Sequence, residues 1–365
     1  MVNKYKSLKR VNFFIRIDAN KSIGYGHFFR TLVLAEKLKL FKANVKFIFN
    51  KNSKISEILK KKRINFFQLN NGKKKGQLNI NEIKWLSKVK QKKKGVFLIV
   101  DHPLANTKYL REAKKISDYL LVFVVDHLKE RYYYGDILIN QNYKAHSKDI
   151  KSESNSLKLV GSKFILIRNS FLKLKKRYNK QNSIFANFGG SDNLNLSLKL
   201  VKIFVKFFEK MKINKIRLNL VVGPGYNHLA RIKNFVKNIK RIKIYKNPKN
   251  FNSIMCNSKM AIVAAGAICW ELAYLGISGV IVPVSRNQNR ISKQLNKDKY
   301  FYSVGKKFFF SKNVIVDKIK FLFKNYDYIM KNKEKKLTAL VDGKGVDRVF
   351  ENIKRVIEKK LNFIK

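Results

Sequence analysis

Val11-Asn-Phe-Phe-Ile-Arg-Ile17, followed by Asp18 and then by Gly24-Tyr-Gly-His27-Phe-Phe-Arg30, is a hydrophobic run that passes through a glycine turn into a helical pattern over 28–40. A second boundary of the same kind lies far along the chain. There Met260-Ala-Ile-Val-Ala264 runs into Ala265-Gly266-Ala267-Ile-Cys-Trp-Glu271, which opens a helical pattern over 269–275. In such turns glycine lets the backbone approach a ligand, and the free N–H groups of the first helical turn favour phosphate oxygens. The two turns read as two halves of one anion-binding cleft. His27 stands at the mouth of the first, where an imidazole takes or gives a proton near neutral pH, and Arg30 follows one helical turn on.

On both sides of these turns short apolar runs alternate with helical periodicity, the pattern of α/β units built on parallel sheets. Strands are expected near 13–17, 45–49, 96–100, 120–125 and 137–139, with helices over 28–40, 55–61 and 104–115. Hydrophobicity falls over 141–156. A second series then gives strands near 184–188, 217–222, 242–244, 261–264 and 280–284, with helices over 194–210, 229–237 and 268–275. The expected fold class is α/β: two doubly wound Rossmann-like domains facing a cleft, over 1–170 and 171–341. A last helix in 342–365 is expected to pack back on the first domain. No repeat of solenoid period is present.

Composition narrows the function classes. The 365 residues suffice for two cores, and 45% hydrophobic content fits a globular protein. The formal charge of +58 raises nucleic acid or an acidic membrane as a partner. The positive charge is overwhelmingly lysine, however, and it is scattered. Arginine, the better reporter of bidentate recognition, is sparse. Lys60-Lys-Lys-Arg63, Lys73 to Lys75, Lys92 to Lys94 and Lys175-Lys-Arg177 fall at helix ends or between elements and read as solvated surface. No specific nucleic-acid partner is expected. Cys256 and Cys269 form no CxxC pattern and are expected to be buried and reduced. No run approaches the length of a spanning helix, and the basic N-terminus lacks the apolar core of a signal peptide, so a soluble cytoplasmic protein is expected.

Several constellations remain open at this stage. Phe188-Gly189-Gly190-Ser191-Asp192 ends a strand and either presents N–H groups to a ligand or caps the next helix through Asp192. Glu271 lies one and a half turns beyond Gly266, where a carboxylate accepts two ribose hydroxyls or stands on the surface. Asn287-Gln288 offers uncharged amide donors. Asp18 orients His27 or its loop, or is an ordinary turn carboxylate. Asp101-His102 and Asp126-His127 raise the question of a metal, but no HxxxH or HxH spacing accompanies them, and neither metal nor cofactor is expected. His146 and His228 lie in polar loops and are uninformative.

Taken in order, Ile15-Arg-Ile-Asp18, Ile23-Gly-Tyr-Gly-His-Phe-Phe-Arg30, Phe188-Gly-Gly-Ser-Asp192, Ala264-Ala-Gly-Ala267 with Trp270-Glu271, Asn287-Gln288 and Asp342-Gly-Lys-Gly-Val-Asp-Arg348 resemble the UDP-sugar hydrolases of pseudaminic acid biosynthesis. That family cleaves UDP-2,4-diacetamido-2,4,6-trideoxy-β-L-altropyranose to UDP and the free sugar. It in turn resembles the two-domain GT-B glycosyltransferases, with water in the acceptor's place. The resemblance implies that His27 is the general base and that inversion occurs without a metal. It implies UDP-sugar contacts along Arg16, Asp18, Gly24, Tyr25, Gly26, Arg30, Asp101 and Arg168, and along Gly189, Gly190, Ser191, Gly266, Ala267, Glu271, Asn287 and Gln288. Relatives often carry Asp-His-Tyr and Asp-Asp where this chain has Asp101-His102-Pro103 and Asp126-His127. The alternatives are a glycosyltransferase or hydrolase of another nucleotide sugar, and a catalytically silent polyanion-binding protein.

Overall fold

In the computed structural model the described residues are 6–20, 23–69, 82, 95–125, 131–174, 181–211, 216–305, 317–318, 320–322 and 324–362. Three of the lysine runs (73–75, 92–94 and 175–177) and the Asp126-His127 pair lie outside them. The chain divides into two compact units, one comprising Met1–Arg168 with Gly343–Lys365 and the other Asn169–Asp342.

The first unit is a parallel sheet of seven strands: β1 (Val11–Ile17), β2 (Asn44–Asn50), β3 (Asn65–Leu69), β4 (Gly95–Asp101), β5 (Tyr119–Phe123), β6 (Ile137–Asn140) and β7 (Leu157–Val160), in the order β3-β2-β1-β4-β5-β6-β7. Helices α1 (Gly26–Leu40), α2 (Ser53–Lys61) and α3 (Thr107–Ile116) make the crossovers. Side chains alternate across β1, so Phe13, Ile15 and Ile17 join Leu32 and Val33 of α1 in one core layer. Phe14 joins Val96, Leu98 and Val100 of β4 and Leu110 of α3 in the other. Arg16 shares the face of Phe14 and is therefore forced into that second layer, fully enclosed.

The helix Gly345–Asn362 belongs to this unit: Val346, Val349, Phe350, Ile353 and Ile357 are buried in the layer that holds α1. The Phe350 ring stacks on Phe41 at 4.5 Å, Lys37 pairs with Asp347 at 2.6 Å, and the Lys360 ammonium donates to the Asp118 carbonyl. A Cβ on Gly345 would stand 2.1 Å from the Ile165 carbonyl oxygen, so only glycine lets this helix start so close to the chain.

The second unit repeats the plan with β8 (Gln181–Asn187), β9 (Arg217–Val222), β10 (Ile242–Lys246), β11 (Ser258–Ala264), β12 (Gly279–Val282) and β13 (Tyr302–Ser303), all parallel in the order β10-β9-β8-β11-β12-β13. Helix α4 (Leu196–Met211) follows β8, α5 (Ile268–Tyr274) follows β11 and α6 (Arg286–Lys297) follows β12. In both sheets the strand order reverses beside the first strand of the unit, between β1 and β4 and between β8 and β11. Open α/β sheets bind ligands in the crevice outside the carboxyl ends of the strands at such a reversal.

The Lys60–Arg63 run lies at the C-terminal end of α2. Its side chains are exposed and Lys62 pairs with Glu36, as expected of a solvated helix end. Cys256 and Cys269 are both buried, and burial pushes the Cys269 thiol up to about 12.

Candidate functional site

The site of the first unit forms where the ends of β1 and β4 lie side by side, with Ile17 in register with Asp101. Beyond β1 the chain folds over Asn20, whose side chain accepts from Ile23 N at 2.8 Å and whose carbonyl accepts from Gly24 N at 2.8 Å. Gly24 holds φ +79°, a conformation that a side chain would strain. Asn52 and Asn106 cap α2 and α3 with side-chain hydrogen bonds, but Tyr25, at the start of α1, gives none. A Cβ built on Gly26 meets nothing within 4 Å among the described residues, so Gly26 itself faces open space.

His27 projects from this turn and meets Asp101, its Nδ1 lying 2.6 Å from Oδ1. Arg30 grips the same carboxylate with two donors, Nε to Oδ2 and Nη2 to Oδ1, each at 2.5 Å, and lies over the Phe123 ring at 4.7 Å. Burial alone would raise the Asp101 pKa, but the charges of Arg30 and His27 outweigh it and hold the carboxyl well below the usual range. An ionised carboxylate only accepts, so Nδ1 of His27 carries the hydrogen. In the neutral ring Nε2 is then the bare nitrogen, free to take a proton. His27 keeps 19% of its side chain exposed, whereas Asp101 keeps 1%.

Behind this pair lies a buried network. Asp18 accepts from Arg16 Nη1 at 2.9 Å and from the backbone and side-chain nitrogens of Asn50, both at 2.8 Å. Arg16 also donates through Nε to Glu82 at 2.6 Å and through Nη1 to the Ile17 carbonyl at 2.6 Å. Desolvation alone would lower the Arg16 pKa, but Asp18 and Glu82 keep the guanidinium charged. His102 spans the two strand ends: Nε2 lies 3.0 Å from Asp18, and Nδ1 accepts from Leu104 N at 3.1 Å. Asp101 and His102 therefore serve different partners and do not converge as a ligand pair. Among the described residues no group of three or more His, Cys, Asp or Glu gathers to hold a metal ion. Asp18 meets Arg16, Asn50 and His102 and not His27, so of the roles left open for it, orienting His27 directly belongs instead to Asp101. Arg16 and Asp18 stiffen the end of β1 from within. Arg168 stacks over Phe29 of α1 at 5.3 Å.

Two of these groups contribute to how the first unit responds to acid, alongside the lowered carboxyls of Asp101 and Asp136. Burial, aided by the nearby charge of Arg16, pushes His102 below the ordinary imidazole value of 6.5 against the opposing pull of Asp18. The unfolded imidazole therefore takes up a proton first, and stability declines as pH falls below about 6.5. Asp18 is lowered from 3.8 to about 2, against the opposing effect of burial, chiefly by His102 and Arg16. Its contribution is complete above the ordinary carboxylate range and is lost as pH falls towards 2. Denaturation midpoints measured against pH should fall in these two stages. His102→Gln, whose amide reproduces one donor and one acceptor, should flatten the upper stage and leave the lower one. An unchanged upper slope in the variant would contradict this assignment.

In the second unit the ends of β8 and β11 are neighbours, with Asn187 in register with Val263. Asn187 ties its side chain to the Val221 carbonyl at 2.9 Å and accepts from Gly189 N at 3.0 Å, which sets Gly189 at φ +91°. Asp192 caps α4 by accepting from Leu196 N and Ser197 N at 2.9 and 2.8 Å. Burial raises the Asp192 pKa. Of the two roles left open for this turn, capping is thus filled by Asp192, while Gly189, Gly190 and Ser191 form the turn ahead of it.

Beyond β11, Ala267 stands at the N-cap of α5 without a side-chain hydrogen bond, and Glu271 lies in the first turn of α5, buried at 8% exposure rather than on the surface. Gln288, in the first turn of α6, accepts from Val284 N at 2.9 Å through Oε1. Its Nε2 lies 3.4 Å from where a Gly266 side chain would begin. Asn287 accepts from the Ser285 hydroxyl at 2.5 Å.

Sequence reading missed four contributors. Glu82 and Asn50 carry no local signal, since their partners Arg16 and Asp18 lie 66 and 32 residues away. Gly223 and Gly225 had one, because they follow β9 as Gly189 and Gly190 follow β8. A Cβ on Gly223 would stand 2.3 Å from the Gly190 carbonyl oxygen, which itself accepts from Gly225 N at 2.9 Å.

Comparison with known proteins accords with this architecture. Residues 187–346 match the glycosyltransferase family 28 C-terminal domain. The chain is 28% identical over 295 residues to the Uncharacterized protein MJ1062 of Methanocaldococcus jannaschii, covering 77% of this chain and 56% of that one, so it spans little more than half of that relative's length. It is 24% identical over 294 residues to the UDP-2,4-diacetamido-2,4,6-trideoxy-beta-L-altropyranose hydrolase of Campylobacter jejuni, covering 78% of this chain and 96% of that one. Among solved structures, MurG of Acinetobacter baumannii superposes with a TM-score of 0.63 at 14% identity, covering 95% of this chain and 99% of that one. The fold is therefore α/β with parallel sheets, of the kind seen in GT-B glycosyltransferases, and the second unit carries the sequence signature of a family 28 C-terminal domain.

Proposed function

We propose that the protein is an enzyme of nucleotide-sugar chemistry that hydrolyses a UDP-linked diacetamido-trideoxyhexose at the anomeric carbon, the activity named for its Campylobacter relative. The observation that carries this reading is the His27–Asp101 pair at the strand-order reversal of the first unit, with Nε2 of His27 the proton-accepting nitrogen. His27 takes a proton from water as the water oxygen bonds to the anomeric carbon. The bond from that carbon to the diphosphate oxygen breaks, and the electron pair leaves with UDP. Attack opposite the leaving group inverts configuration. Asp101 holds the ring and stabilises the imidazolium that forms. The second unit takes the nucleotide: the N–H groups of Gly190, Ser191 and Ala267 and the Gln288 amide receive the diphosphate charge, while the Gly189 and Gly266 N–H groups hold the turns through Asn187 and the Ala264 carbonyl, and Glu271 takes the ribose.

Incubation with a panel of UDP-diacetamido-trideoxyhexoses, following UDP by nuclear magnetic resonance, tests this reading. Release without an acceptor is expected, and its absence across the panel would overturn it.

A second reading is favoured by the family 28 match and by the likeness to MurG. In it the same base serves an acceptor hydroxyl, and the enzyme is a glycosyltransferase. UDP release that begins only when an acceptor sugar is added would select it.

Glu271 offers an independent check. Charge-assisted hydrogen bonds contribute roughly 1.5 to 3 kcal/mol each. Glu271→Gln, which preserves the buried volume, should weaken UDP binding by about tenfold or more and abolish a preference for UDP over 2′-deoxy-UDP. Unchanged affinity by calorimetry would remove Glu271 from the nucleotide site.

A further inference from the structure

Arg30 lies one turn below His27, yet both oxygens of Asp101 are occupied by it, and its Nη2 lies 3.1 Å from Nδ1 of His27. Both of those nitrogens are donors, so the approach is a consequence of sharing Oδ1 and not a bond. Phe123 holds the guanidinium from the far side at 4.7 Å. A carboxylate gripped this way still fixes the tautomer of His27, but most of its charge is balanced before the imidazole draws on it. The cation also stands beside the ring on which positive charge would develop.

We propose that Arg30 is a positioning residue that divides Asp101 between itself and His27, so that the imidazole is oriented as a base while its protonated form is kept from being over-stabilised. The proposal rests on His27 acting as the base in the reading above. It assigns Arg30 a place behind the reacting centre and not against the substrate. Among the described residues the charged and titratable groups around His27 are Asp101 from β4, Arg30 from α1, and His102 beyond β4, backed by Asp18 at the end of β1. Asp126 and His127, further on from β5, lie outside the described residues.

The test is the His27 imidazole resonance of the intact chain, assigned by its loss in His27→Gln and followed against pH with no substrate present. Arg30→Met leaves Asp101 to His27 alone, and the midpoint should move upward by about one pH unit or more. Arg30→Gln, which retains a hydrogen bond to Asp101 and protects folding, should move it the same way. Arg30→Lys, which keeps the charge, should hold the wild-type midpoint.

In the enzyme assay the acid limb of kcat should move with the resonance while KM stays within about twofold. A purely structural role would lower kcat at every pH without displacing the limb. Unshifted midpoints in both neutral variants would overturn the proposal and leave the hydrolase reading standing. Shifted midpoints in a protein that cleaves no UDP-sugar would do the reverse.

Discussion

Replacing His27 by asparagine lowers turnover by about two to four orders of magnitude, the usual scale for a lost general base, and leaves folding and UDP affinity nearly unchanged. The expectation follows from where the side chain sits. His27 is partly exposed and fills no core volume, and Arg30 still satisfies both oxygens of Asp101 when the imidazole is removed. The residues proposed for the nucleotide belong to the other unit, so binding of UDP should not register the change. Steady-state kinetics at saturating substrate, with calorimetry for UDP, separates the two quantities. Near-normal turnover would remove His27 from the chemistry, and a parallel loss of UDP affinity would place it in ground-state binding instead.

Ending the chain at Asp342 is expected to unfold the first unit even though its whole sheet precedes that point. Val346, Val349, Phe350, Ile353 and Ile357 are buried in the core layer beneath α1. At about 1.5 to 3 kcal/mol for each large apolar side chain taken out of water, these five contribute on the order of 10 kcal/mol. That is comparable with the whole stability of an ordinary domain. The second unit keeps its own core and should stay folded. Thermal unfolding of the truncated chain should therefore show one transition where the full chain shows contributions from both units. Retention of both would contradict the packing described for Gly345–Asn362.

The strands that carry the switch points were legible because each is an apolar run bounded by a glycine turn, as at Val11–Ile17 and Ser258–Ala264. The edges were less so. Asn65–Leu69 and Leu157–Val160 carry polar residues and were passed over, since an outer strand need not be apolar on both faces. Arg286–Lys297 was not among the expected helices because its apolar stripe is thin: Ser292 and Leu295 are its buried residues. His27 and its glycines were legible as a motif, but its partner was not. Asp101 lies 74 residues away and meets His27 only through the parallel pairing of β1 with β4. The same pairing turned Asp18 away from His27 and gave it to Arg16, Asn50 and His102. Sequence spacing therefore identified the groups of the site, and sheet topology decided which of them touch.

The central claim, attack of water at the anomeric carbon, is tested most directly by running the acceptor-free reaction in water enriched in oxygen-18. The label is expected to enter the hydroxyl on the anomeric carbon of the released sugar, the first-formed anomer to be inverted, and UDP to carry none. Label in the terminal phosphate of UDP would mean that the phosphorus–oxygen bond is broken instead, and would contradict the account.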